Sequence, residues 1–269
     1  MEHITVACTS DWHVGSPNIK GDFPSEEELR ESLRRALEEN VDAYILAGDI
    51  VHRGSSKAAN YAVEIIKPFI EQGLTVIAIN GNHDLDRGTD TSVVSTIFSA
   101  NGITMLEGES YLLQSKDEKR SLTIIGVSAE TGQKNNQWWQ HPEGKEKGWE
   151  AALAAATPHV ADLQRELEQS QTEQVLLVTH RGIIAETVGT AARRGEKFSP
   201  QVAQFAPIIN EFARRGKEIT VVHGHDHTTG SEWEGFPEGT TEAGVLVYNV
   251  AAPVRRRLGR SLEKRLVFP

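Results

Sequence analysis

The chain has 269 residues, 38% hydrophobic and 25% charged, with 28 basic against 38 acidic side chains and a formal charge of −10. This excludes a disordered or fibrous chain, and the acidic balance argues against coating nucleic acid through bulk charge. One cysteine, Cys8, excludes a disulfide framework, no apolar run reaches the roughly 18 residues of a membrane span, and Met1–Val6 lacks signal-peptide character, so a soluble cytoplasmic protein is expected.

Short β-branched runs alternate with amphipathic stretches. Ile4–Ala7 reads as a strand. Ser25 and Glu28 form a capping box opening a helix whose Leu29, Leu33, Ala36 and Leu37 share one face. Ala43–Ala47 is a strand, Lys57–Glu71 a helix with Ile65, Ile66, Phe69 and Ile70 inward, Leu74–Ile79 a strand and Thr91–Ala100 a helix. This βαβαβα order implies parallel strands with crossover helices. Tyr111–Gln114 and Leu122–Val127 flank a charged turn at Lys116–Arg120 and predict a hairpin. Residues 130–149, with Trp138, Trp139 and Trp149, read as a long polar loop serving as packing or a lid rather than as a stacking platform for bases. The next helix is expected to be split at Thr157-Pro158, acting as N-cap and N1. Val175–Thr179 is a strand, Val202–Arg214 a helix, and Ile219–His223, Val245–Val250 and Leu266–Phe268 are strands. Residues 253–269 hold six basic side chains against Glu263, a net +5 that leaves −15 on the rest, and read as a solvated terminal hairpin. No repeat or linker interrupts this order, so a single domain over 1–269 is expected.

The metal-capable residues fall just beyond the C-terminal ends of predicted strands. They form five groups: Asp11-Trp12-His13, Gly48-Asp49, Gly81-Asn82-His83-Asp84, His180 and Gly224-His225-Asp226-His227. That edge of an α/β sheet is where ligands bind, because its loops converge there on a rigid frame. Imidazole and carboxylate donors without thiolate suit Zn²⁺, Mn²⁺ or Fe. The donors are too many for one four-coordinate ion. Two ions sharing a carboxylate would use them all, an arrangement suited to in-line displacement at phosphorus. His3, His141 and His159 have no partner motif. Phosphate-loop, His-Glu-x-x-His and Gly-x-Ser-x-Gly signatures are missing.

From Asp11 to His227 the order Asp-x-His, Gly-Asp, Gly-Asn-His-Asp, His, Gly-His-x-His resembles the calcineurin-like metallophosphoesterase superfamily. The resemblance implies an α/β four-layer sandwich, two mixed β-sheets packed together with helices on both outer faces. It implies one ion on Asp11, His13, Asp49 and His227, and a second on the shared Asp49, Asn82, His180 and His225. His83 would meet the substrate; superfamily members that cleave sugar–nucleotide pyrophosphates tend to have Arg there, and scaffold members have lost it. Protein serine/threonine phosphatases carry an aspartate where this chain has His52, in Gly48-Asp49-Ile50-Val51-His52-Arg53-Gly54. The superfamily's double-strand-break repair nucleases place a histidine there, which favours diesters; their DNA-capping domain is not expected in this chain.

The expectation is thus a dinuclear phosphodiesterase with a metal-bridging hydroxide as nucleophile. His83 would protonate the leaving group, His52 orient it or share that work, and Arg53 and the ions stabilise the phosphoryl charge. Manganese is the expected metal, with iron or zinc as alternatives. The expected partner is a small diester or nucleotide, with no membrane. The alternatives are a repair-type nuclease acting on nucleic acid, a phosphomonoesterase and, from another class, a non-catalytic scaffold.

Overall fold

Two sheets form because alternate residues of each strand serve different cores. The computed structural model describes residues 3–17, 23–85, 92–115, 118–127, 145–188, 200–227 and 237–269. The first sheet has five strands in the order β11-β1-β2-β3-β4: Lys264–Phe268, Ile4–Thr9, Ala43–Ala47, Val76–Ile79 and Thr104–Met105. The second has six in the order β5-β6-β7-β8-β10-β9: Glu109–Gln114, Ser121–Val127, Gln174–Thr179, Glu218–His223, Leu246–Asn249 and Glu238–Thr240. β1 to β4 run parallel, as do β6, β7, β8 and β10, while β11, β5 and β9 pair antiparallel at the edges.

Between the sheets lie Val6, Cys8, Ile45, Ile77 and Ile79 from one side and Ile124, Leu176, Val178 and Val222 from the other. The intervening residues Ala7, Tyr44, Leu46, Val76 and Ala78 pack under α1 (Glu26–Glu38), α2 (Ser56–Ile70) and α3 (Val93–Ser99). Ile125, Val175, Leu177 and Val221 pack under α4 (Lys145–Gln169) and α5 (Pro200–Arg214). The result is the expected four layers, helix–sheet–sheet–helix. Ser25 caps α1 through the capping box read from the sequence, and Leu29, Leu33 and Ala36 are buried on its inner face.

Three expectations need correction. The helix around Pro158 is not split: α4 runs unbroken for 25 residues. Thr157 Oγ1 donates to the Leu153 carbonyl one turn back (3.1 Å) instead of capping a new helix. Pro158 faces solvent, while Ala152, Ala156, Leu163 and Leu167 are buried along one seam on either side of it. That continuous burial offsets the roughly 3 kcal/mol an interior proline costs. Residues 145–149 of the expected loop belong to α4, with Trp149 half-buried on it; Trp138, Trp139 and His141 lie outside the described residues.

The basic C-terminal segment is no solvated hairpin. It forms a short helix, α6 (Ala252–Arg257), then β11, which covers the edge of β1 in the register Ile4↔Phe268. Arg255 is buried and donates Nε to the Ser261 carbonyl and Nη2 to the Glu263 carbonyl, both at 2.8 Å. Arg256 pairs with Glu28 and Arg265 with Glu39. Glu263 is buried and takes Arg35 and the Ser32 hydroxyl. Of that charge Arg255 is spent inside the fold, while Arg256 and Arg265 stay exposed in surface ion pairs.

Candidate metal centre

The loops after β1, β2, β3, β7 and β8 carry the five groups to one place, where the parallel edges of the two sheets meet. Backbone hydrogen bonds fix the turns: Asp11 N–H to Gly48 O and His13 N–H to Asp49 O, both 3.0 Å. Asp11, His13, Asp49, Arg53 and His225 all have φ between 47° and 65°, the left-handed region that L-residues avoid. Such backbone costs about 1–3 kcal/mol per residue and persists where the surroundings over-determine it. Two glycines permit the close approach: a Cβ on Gly81 would run into Asp49, and one on Gly224 into Ser10 and Asp11.

The donor atoms form two clusters. In the first, His227 Nε2 lies 3.0 Å from Asp11 Oδ1 and 3.0 Å from His13 Nε2, which is 3.6 Å from Asp49 Oδ2. In the second, His180 Nε2 lies 3.3 Å from the same Asp49 Oδ2, and His225 completes a group of donor atoms within 4.8 Å of one another. Two donors about 2.1 Å from one ion stand about 3.0–3.4 Å apart, so these separations suit shared ions. Asp49 divides its oxygens: Oδ1 accepts the His83 N–H at 2.7 Å, leaving Oδ2 facing both clusters. His180 donates Nδ1–H to the Ala47 carbonyl (2.8 Å), which fixes the tautomer that offers Nε2. Asn82 Oδ1 is buried without a hydrogen bond among the described residues, as a ligand oxygen would be.

The electrostatics fit a cation site. Burial pushes the Asp11 and Asp49 carboxyls up, but neighbouring imidazoles, His227 for Asp11 and His180 for Asp49, hold both below the usual range. Burial drives His13 down to about 4 and His225 well below the ordinary imidazole value, in the latter case with help from Arg181. Burial also opposes a proton on His227, yet Asp11 and Asp49 outweigh it and raise that imidazole. Buried carboxylates beside mostly neutral imidazoles form a donor set that divalent ions satisfy.

Six of the seven candidate ligands read from the sequence fall in these two clusters, and Asn82 stands beside them on the β3 loop, between Gly81 and His83. His83 and His52 stack beside the first cluster, ring centroids 5.1 Å apart at 23°, with His83 4.7 Å from the His13 ring. Arg53 is exposed on the same turn. Sequence reasoning missed four supports. Asp84 takes the N–H groups of Gly81 and Val51 at 2.8 Å and of Ile50 at 3.2 Å, tying the β2 and β3 loops together. Its burial, then the Asp49 charge, raises its carboxyl to about 7. Its place in Gly-Asn-His-Asp was a signal whose role the one-dimensional pattern did not disclose. Ser10 Oγ donates to Asp11 Oδ2 (2.6 Å), Phe23 packs its ring 4.4 Å from that of His13, and Arg181 Nη1 donates to His225 Nε2 (2.8 Å). None of these three carries a sequence signal beyond adjacency. Trp12, Phe23, Leu29, Tyr61 and Ile65 line a cavity of about 110 Å³ with His13 in its wall.

A family model described as calcineurin-like phosphoesterase matches residues 4–229, the span that carries every candidate ligand above. The chain belongs to the calcineurin-like phosphoesterase family. Its membership supports a metal-dependent phosphoesterase, and the residue clusters support a dinuclear centre. Among individual proteins, the chain is similar to a probable cyclic nucleotide phosphodiesterase of Ruthia magnifica subsp. Calyptogena magnifica, 24% identical over 99 residues, 37% of this chain and 41% of that one. It is also similar to the DNA double-strand break repair protein Mre11 of Archaeoglobus fulgidus, 30% identical over 83 residues, 29% of this chain and 19% of that one. The matches therefore span less than half the length of either relative. A solved dimetal phosphatase from Danio rerio shares the fold, with a TM-score of 0.56 at 14% identity over 91% of this chain and 86% of that one. Among the described residues, no helix of this phosphoesterase is long and apolar enough to cross a membrane.

Proposed function

We propose that this phosphoesterase is a dinuclear phosphodiesterase of small diesters or nucleotides. The observation that carries the reading is Asp49 Oδ2, one carboxylate oxygen facing both donor clusters. Asp11, His13, Asp49 and His227 would hold one ion, and Asp49, Asn82, His180 and His225 the other. Manganese is the expected metal, with iron or zinc as alternatives. When bound, such ions polarise the phosphate ester and acidify water to a nucleophile near neutral pH. His83 would then protonate the leaving alkoxide, its backbone N–H anchored on Asp49 and its ring stacked on His52, which would orient it. Arg53 is assigned to the phosphoryl oxygens.

His52 supports diester chemistry, as does the similarity to relatives named for cyclic nucleotide phosphodiesterase and Mre11. The electrostatics support a small substrate. With Arg255, Arg256 and Arg265 engaged by the protein's own groups, the acidic body has less basic surface for a polyanion to track. The cavity beside His13 would take an uncharged, ring-sized ester group. A cytoplasmic setting suits the lone buried Cys8.

The test is a side-by-side assay with Mn²⁺ of bis-p-nitrophenyl phosphate, cyclic nucleotides, p-nitrophenyl phosphate and duplex DNA. Small diesters should be hydrolysed fastest. Faster monoester turnover would convert the assignment to phosphomonoesterase, and processive digestion of duplex ends at moderate salt would convert it to nuclease. No turnover by a protein loaded with two ions would leave the scaffold.

A further inference from the structure

We infer that Asn249 is a positioning residue of the metal centre: its side-chain amide holds the end of the 224–227 turn so that His227 meets Asp11 and His13. The inference rests on the reading that His225 and His227 hold ions. Asn249 closes β10 in register with His223, the last residue of β8, from which the Gly224-His225-Asp226-His227 turn departs. It is buried, and its amide is fully used. Nδ2 donates to the Asp226 and Thr187 carbonyls, both at 3.2 Å, and Oδ1 accepts the Ala251 N–H at 3.0 Å. Two carbonyls need the amino group and one N–H needs the oxygen, so the amide can face only one way.

The two ends of the turn are secured by different means. At its start, Gly224 N–H donates to the His180 carbonyl and His225 N–H to Asp11 Oδ2, both at 2.9 Å. Its end folds back on the turn itself, Asp226 N–H to Gly224 O at 2.7 Å and His227 N–H to His225 O at 2.9 Å. Asn249 anchors that end, because the carbonyl it takes belongs to the Asp226–His227 peptide. His227 Nε2 then lies 3.0 Å from both Asp11 Oδ1 and His13 Nε2. The same amide reaches the Asp11 side. Ala251, whose N–H it accepts, forms a β-bridge with Ser10, and Ser10 Oγ donates to Asp11 Oδ2. One buried amide thus refers His227 and Asp11 to a common frame.

The experiment is a calorimetric titration of the full chain, stripped of metal, with Mn²⁺. Wild type should bind two ions. Asn249→Ala should bind at least one of them about 10–100-fold more weakly, the usual effect of losing a group that orients a ligand. Asn249→Asp keeps the oxygen that Ala251 needs and puts a cation-attracting charge where the donors were. It should also bind more weakly, and it carries the test if Asn249→Ala does not fold. Asn210→Ala removes a buried amide on α5, outside the donor clusters, whose Oδ1 accepts the Ala243 N–H. It should lower the melting temperature and leave Mn²⁺ binding unchanged. In a His227→Ala background, Asn249→Ala should cost less than about threefold more, since two steps of one route do not add. Wild-type ion binding by the Asn249 variants would overturn the inference and leave Asn249 a residue of the fold alone. An equal loss in Asn210→Ala would overturn it as general loosening, and an undiminished loss in the His227→Ala background would show that Asn249 does not act through His227. A wild-type protein that takes up only one ion would sink the dinuclear reading itself, a result distinct from these.

Discussion

The two halves of the candidate metal centre are built differently. On the first-sheet side, the β1, β2 and β3 loops are laced by backbone bonds, and Asp84 alone receives three N–H groups from two of them. On the second-sheet side, His180 is fixed by one carbonyl, and His225 is held by its N–H on Asp11 and by the Arg181 side chain. The first half is pre-organised by main chain, which cannot reorient without unfolding the loops. The second has its own main-chain tie, Gly224 N–H to the His180 carbonyl at 2.9 Å, but relies more on the side-chain bonds of His180 and His225. A site assembled this way holds the Asp49 carboxylate on the rigid side, with its Oδ1 fixed by the His83 N–H.

The sharpest way to break that contrast is the residue at the seam. Asp49→Ala should remove the oxygen common to both clusters and empty both ion positions. Metal analysis should find less than one ion per chain, and activity should fall by more than the roughly 10–100-fold that loss of a residue supporting a ligand costs. Tight binding of two ions by this variant would show that the carboxylate does not bridge.

Next in size is His83→Ala, on the rigid side. Metal content should persist. Turnover of diesters with poor leaving groups should drop about 10²–10⁴-fold, while p-nitrophenyl diesters, whose leaving group needs little protonation, should lose far less. An equal loss for both substrates would reassign His83 to binding the phosphoryl group.

Asp84→Ala tests the rigidity directly. Three buried N–H groups lose their acceptor, a cost of about 3 kcal/mol or more, read as a lowered melting temperature. Asp84→Asn keeps one acceptor oxygen and should recover part of the loss. A melting temperature unchanged in both variants would mean that the lacing is not what holds these loops.

The smallest effect belongs to His227 on the second-sheet side. Asp11 and Asp49 overcome its burial and raise its affinity for a proton, so the metal-free protein draws stability from this group below the ordinary imidazole pKa of about 6.5 and loses it as the pH rises through the raised value. An ion must displace that proton. Mn²⁺ binding near pH 7 should release protons, and affinity should fall on acidification. Calorimetry in two buffers of different ionisation enthalpy measures the release, which should vanish in His227→Ala; if the wild type releases none, the raised imidazole is disproved.

The parts legible in the sequence were those whose physics is local or periodic. The Ser25–Glu28 capping box, the strand at Ala43–Ala47 and the five donor groups at strand ends each follow from spacing along the chain, because a turn, a pleat or an Asp-x-His pair is a short-range object. Such patterns picked out the candidate donors and implied that two ions could be served. The tertiary structure alone decided the rest. Pro158 stays inside one helix because burial of Ala152, Ala156, Leu163 and Leu167 on a single seam outweighs a local break. Arg255 belongs to the fold because its guanidinium takes the Ser261 and Glu263 carbonyls of the turn that leads into β11, which covers the edge of β1. Arg181 reaches His225 across 44 positions of sequence. Long-range partners of this kind leave no period in the chain, since what selects them is the geometry of two sheets meeting at one edge.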